Sequence, residues 1–313
     1  MAGITFENYN NGAKGRMIKE IERLKKERCA VILAHNYQRP EVQDIADYVG
    51  DSLELSQLAA RLPNKVIVFC GVHFMAESAA ILSPDKTILL PEKYAGCPMA
   101  DMVNAEDLKA KKKEIPDAAV VCYVNSSAEV KAESDICCTS SNAVKVVETI
   151  DSDKILFIPD RNLARYVASK VSNKEIIPWE GYCVTHERVT LDDLNKAKAA
   201  HPRAVVVVHP ECRVDVVEAA DHVASTSGIM KFVRESDSEE FIIGTEMGIM
   251  HRLTRDNPTK RIYILSTGMV CPNMKMTTLD KVLTALQDMK WQITVDEELR
   301  TRAYGSLKKM LEV

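Results

Sequence analysis

Two cysteine motifs are missing from this 313-residue chain: no CxxC and no CxxxCxxC occurs, although nine cysteines are present. That excludes a zinc ribbon, a thioredoxin-type redox site and a radical-type cluster loop. No run of about 18 apolar residues occurs, so no membrane span is expected. The N-terminal stretch holds Asn8, Asn10 and Asn11 and then charged residues, without an apolar signal core, and a cytoplasmic protein is expected. Excess positive charge is lacking too. The net charge is −4 and Lys111 to Lys113 form the only short basic run, which argues against nucleic acid as a partner. What remains, 46% apolar and 27% charged, is the balance of a globular protein long enough for two or three domains.

Short β-branched runs alternate with amphipathic segments along the chain, the pattern of parallel α/β architecture. Strands are expected at Val31–Ala34, Val66–Cys70, Thr87–Leu90, Ala119–Val124, Ile155–Ile158, Val205–Val208, Phe241–Ile243 and Arg261–Leu265. The text repeats itself. The segment from Ala119 matches the one from Ala204 at a shift of 86, apart from a one-residue offset at its first alanine, and a shift of 88 relates a first copy to the second. Asp47, Asp135 and Asp221 then fall in register. The expectation is three homologous α/β/α units with parallel sheets around a pseudo-threefold axis: 1–94, 95–181 and 182–271, with 272–313 packing back on the first. In that tail Thr277 is expected to cap a helix to Asp288, Trp291–Val295 to form an edge strand, and Asp296–Leu311 a closing helix.

The same shifts relate Cys97, Cys183 and Cys271, each in a loop that follows the last strand of one copy of the repeat. Three of nine cysteines in register by chance is roughly a one-in-a-hundred event. Threefold packing would bring them together as a metal site able to hold zinc or three irons of a cubane cluster, soft sulfur suiting both. Cys29, Cys70, Cys122 and Cys137 read as buried small hydrophobes; Cys138 and Cys212 stay open. Three tiers of polar residues share the register at the strand mouths: His35, Tyr123 and His209; Tyr37, Asn125 and Glu211; Ser52, Ser140 and Thr226. The last tier precedes helices, where capping alone would account for a hydroxyl, yet a helix N-terminus also receives anions.

The stretches LAHNYQ (33–38), GDS (50–52), CPMA (97–100), YVNS (123–126), CTSSNA (138–143), PDRN (159–162), VHPEC (208–212), STSGIM (225–230), GTEMG (244–248) and NMK (273–275) together resemble the quinolinate synthase family over nearly the whole chain. The resemblance implies a transferase/dehydratase-type enzyme that condenses iminoaspartate with dihydroxyacetone phosphate to quinolinate, phosphate and two waters, on the way to NAD. It implies functional association with L-aspartate oxidase or aspartate dehydrogenase. It also implies one 4Fe-4S cluster on Cys97, Cys183 and Cys271 with one open iron, and substrate contacts at His35, Ser52, Tyr123, Val124, Asn125, Ser140, His209, Pro210, Glu211 and Thr226. Glu211 would do acid/base work, with His35, Tyr37 and Tyr123 in enolisation and proton transfer. The extra cysteines that some family members carry near the last ligand are replaced here by Cys271-Pro-Asn-Met274, so a redox-switch disulfide is not expected there. An iron–sulfur hydro-lyase acting on another small carboxylate is the neighbouring alternative.

Overall fold

The computed structural model describes residues 6–313. Twelve strands are described: β1 (Ala30–His35), β2 (Tyr48–Gly50), β3 (Val66–Cys70), β4 (Thr87–Leu89), β5 (Ala119–Tyr123), β6 (Ile136–Cys138), β7 (Lys154–Ile158), β8 (Glu175–Pro178), β9 (Val205–Val208), β10 (His222–Val223), β11 (Glu240–Gly244) and β12 (Arg261–Ile264). They form three four-stranded sheets, in orders β2-β1-β3-β4, β6-β5-β7-β8 and β10-β9-β11-β12, with every pairing parallel. The first and third strands of each unit are almost wholly buried because helices cover both sheet faces, which explains their unbroken apolar runs.

The repeated aspartates prove to be strand anchors. Asp47, Asp135 and Asp221 each begin the approach to the short edge strand. Their carboxylates accept the backbone N–H of Ile32 (2.8 Å), Val120 (2.7 Å) and Val206 (2.8 Å). One acceptor thus fixes the same crossover three times.

The tail departs from expectation in part. The helix Leu279–Asp288 has Thr278, not Thr277, at its N-cap, and it packs on the first unit's Phe6–Glu27 helix. Residues 291–295 make only a single antiparallel bridge, Gln292 opposite Leu89, because Trp291 adopts a positive φ of 61° that an extended strand cannot use. The closing helix Glu297–Glu312 lies chiefly on the second unit, against Ala128–Ala132 and Ile136–Cys138, and also against the first unit's His73–Leu82. Its apolar stripe of Ala303, Leu307 and Met310 dictates that seat. Among the described residues, no helix is long and apolar enough to cross a membrane.

Candidate functional site

One cavity is lined from all three units. Cys97, Cys183 and Cys271 reach it together with His35, Tyr37, Ser52, Tyr123, Asn125, Ser140, His209, Glu211 and Thr226. Val124 and Pro210 are buried in the same turns and are not among the lining residues. Cys138 and Cys212 are buried away from the lining, as are Cys70, Cys122 and Cys137. Cys29 is exposed, contrary to its reading as a buried hydrophobe: it ends the Phe6–Glu27 helix in a left-handed turn (φ 48°) that points outward.

The cysteine loops are built alike. The residue after each third strand's turn donates its N–H to the carbonyl two places before the cysteine: His73 to Ala95, Arg161 to Gly181 and Met247 to Met269, each at 2.8 Å. Gly181 is required there, because a Cβ on it would sit 2.4 Å from the Pro159 carbonyl. Burial and the neighbouring thiol of Cys271 and carboxylate of Glu211 push the Cys97 thiol up to about 12, despite backbone donors. Burial, Glu211 and Cys97 likewise raise Cys183, and burial raises Cys271. Three soft donors that the bare cavity disfavours as thiolates form a set suited to a cationic centre placed among them. Cys183, His186 and Glu211 also form a group able to hold a metal ion, their ligand atoms within 4.8 Å of one another.

Side chains from different units are hydrogen-bonded into one chain. Tyr123 donates to Glu211 Oε1 (2.6 Å), and Glu211 Oε2 meets His186 Nδ1 (2.8 Å). His186 Nε2 meets Thr245 Oγ1 (2.9 Å), which bonds the Tyr37 hydroxyl (2.6 Å), which reaches Thr226 Oγ1 (2.8 Å). Burial opposes the Glu211 charge. The imidazoles of His209 and His186, with hydrogen bonds from His186 and Tyr123, outweigh it and hold this carboxyl below its ordinary range. His35 and His209 share one geometry: Nδ1 accepts the N–H two residues on, from Tyr37 (3.1 Å) and Glu211 (3.2 Å). An accepting Nδ1 carries no proton, so both rings are neutral with Nε2–H free to donate. His209 spends its Nε2 on Ser140 Oγ (3.1 Å). Burial agrees, moving His35 down to about 4 and His209 to about 3.

The hydroxyl tier is displaced by one residue from the capping positions. Asp51 caps the helix Ser52–Arg61, accepting from Leu53 and Glu54, and Ser225 caps Thr226–Glu235. Thr139, the matching residue of the second unit, accepts from Ser141. Ser52 and Thr226 are therefore first-turn residues, free to line the cavity. No Lys or Arg is among the lining residues, which do include Asp51, Glu211 and Glu246; the donors that an anion would meet are helix ends, hydroxyls and imidazole N–H groups. Asn125 Oδ1 is buried there without a partner, an acceptor left for a ligand.

His186 and Thr245 escaped the sequence reading because they break the threefold register: the places matching His186 hold Ala100 and Met274. A search for residues three from a candidate ligand would have found His186. Residues 19–312 match the family described as Quinolinate synthetase A protein. The chain is similar to proteins named quinolinate synthase from Clostridium kluyveri (59% identity; 95% of this chain and 98% of that one) and Thermodesulfovibrio yellowstonii (56%; 95% and 98%). It is also similar to quinolinate synthase 1 of Methanosarcina acetivorans (57%; 95% and 97%). The chain belongs to the quinolinate synthetase A family.

Proposed function

We propose that this chain condenses iminoaspartate with dihydroxyacetone phosphate to give quinolinate, phosphate and two waters, using a 4Fe-4S cluster held by Cys97, Cys183 and Cys271. The observation that carries the reading is the meeting, on one cavity, of the three equivalent cysteine loops with the Tyr123–Glu211–His186–Thr245–Tyr37 chain. When bound, such a cluster supplies a Lewis acid at its open iron.

The protein's own groups do the rest. The first turns at Ser52 and Thr226, Asn125, and the His35 Nε2–H bind and orient the carboxylates and the phosphate. Glu211, held as a carboxylate, takes a proton and returns it, with Tyr123 O–H and His186 Nδ1–H keeping its two oxygens aimed. Tyr37 and Tyr123 are held as protonated phenols by burial and the Glu211 charge, so each donates at its hydroxyl. Condensation and both dehydrations need protons moved at several substrate atoms, and a chain crossing the cavity wall can pass them without bulk water.

The test is anaerobic purification, with iron, sulfide and zinc analysis and an absorption spectrum, followed by assay of quinolinate from the two substrates. Iron and sulfide in equal amounts, lost together with activity in Cys97→Ser, Cys183→Ser and Cys271→Ser and kept in Cys70→Ser, are the expected outcome. The Cys183–His186–Glu211 group favours a second reading, a single zinc ion. Zinc without sulfide in active protein would establish that instead. Turnover of a different carboxylate, with no quinolinate formed, would point to a hydro-lyase.

A further inference from the structure

Two buried carboxylates in the quoted motifs have no part in the chemistry above. Asp160 and Glu246 are related by the 86-residue shift, each lies just beyond the third strand of its unit, and both are fully buried. Each accepts the backbone N–H of a candidate ligand. Asp160 takes the N–H of Cys183 on one oxygen (3.2 Å) and that of Leu163 on the other (2.8 Å). Glu246 takes the N–H of Cys271 (3.0 Å) on one oxygen and that of Gly248 (2.7 Å) on the other, and Lys275 Nζ lies 3.0 Å away. The matching place in the first unit is Val72, which offers no acceptor. The Cys97 loop is tied from outside its unit instead, by Asn273 Nδ2 on the Gly96 carbonyl (2.8 Å).

We propose that Asp160 and Glu246 are positioning residues of the cluster seat, anchoring Cys183 and Cys271 through their amides; this rests on the cluster reading above. Keeping those two N–H groups on carboxyl oxygens also keeps them from the thiolate sulfurs. That makes reduction of a cluster harder, because hydrogen bonds to the sulfurs help set its potential. Lys275 extends the Glu246 corner to the substrate side, donating to the Tyr37 carbonyl (2.5 Å). The seat is thus asymmetric, with two carboxylate-anchored corners and one without.

The experiment compares anaerobically loaded wild type with Asp160→Ala, Glu246→Ala, the conservative Glu246→Gln, and two controls. Val72→Ala probes the corner without a carboxylate. Asp135→Ala removes a repeated carboxylate that only anchors a strand. Iron loss to a chelator, the reduction midpoint and the melting temperature are read together. Asp160→Ala and Glu246→Ala are expected to lose iron roughly 10-fold faster and to shift the midpoint positive, with Glu246→Gln intermediate. Asp135→Ala lowers melting and leaves both cluster readouts alone, as does Val72→Ala. Iron loss that follows melting temperature through every variant, with the midpoint unmoved, overturns the proposal. If the alanine variants do not fold, a Glu246→Gln protein identical to wild type in both cluster readouts overturns it equally. Wild type that takes up no iron and sulfide would overturn the cluster reading itself, a distinct result.

Discussion

The hydroxyl of Tyr123, carried by the second unit, donates to Glu211 Oε1 of the third at 2.6 Å, and both side chains are buried. The two residues belong to different tiers of the repeat, so their contact exists only because the units face one another. On the proposed function, Glu211→Gln should lower turnover by about 10²–10⁴-fold with iron content kept, since Gln still accepts from Tyr123 but cannot take a proton. Parallel quinolinate assays and iron analysis decide it; loss of iron with activity would assign Glu211 to the metal seat.

Thr245 offers a sharper probe of the chain because it joins Tyr37 to His186 and does not itself line the cavity. Thr245→Val keeps the shape and removes the link. A drop in turnover of about 10-fold or more is expected, given the roughly 1–3 kcal/mol cost of leaving buried polar groups unpaired. Turnover equal to wild type would mean the chain is not used.

His35 and His209 make stability depend on pH. Their folded values lie below the ordinary 6.5, at about 4 and about 3, chiefly through burial. The unfolded chain therefore binds more protons as pH falls below about 6.5. Their contribution is full above that pH and is lost progressively towards the folded values. Urea midpoints from pH 8 to 5.5 should fall on acidification, with a limiting slope of about 1.4 kcal/mol per pH unit for each histidine. His209→Gln should flatten the curve; an unaltered slope would show that the ring is charged in the folded state.

Cys29 holds a left-handed φ of 48° with an exposed side chain, at the end of the first helix. Glycine adopts that conformation without the Cβ clash, so Cys29→Gly should raise stability by about 0.5–1 kcal/mol and leave metal content unchanged. A calorimetric melt suffices.

Leu307 on the closing helix is fully buried, and the neighbouring Ser306 donates to the Lys131 carbonyl of the second unit (2.8 Å). Leu307→Ala should cost about 2–5 kcal/mol and lower the melting temperature. A tail that merely rests on the surface would show no such change.

Periodicity alone was enough for the sheets, because a strand covered by helices on both faces must be apolar throughout; Val66–Cys70 and Val205–Val208 appear with the expected bounds. Repetition was enough to bring Cys97, Cys183 and Cys271 to one cavity, because equal units place equal residues about a common axis. Whatever breaks the repeat was illegible. His186 and Thr245 have no counterparts, and their roles come from distances across the axis that spacing does not encode. Capping fell to Asp51 and Ser225 instead of the next residue, since the choice turns on a single backbone dihedral. The closing helix was recognisable by its stripe, but its partner was decided by which surface stayed uncovered once the first two units had packed, a property of the assembled fold and not of the local chain.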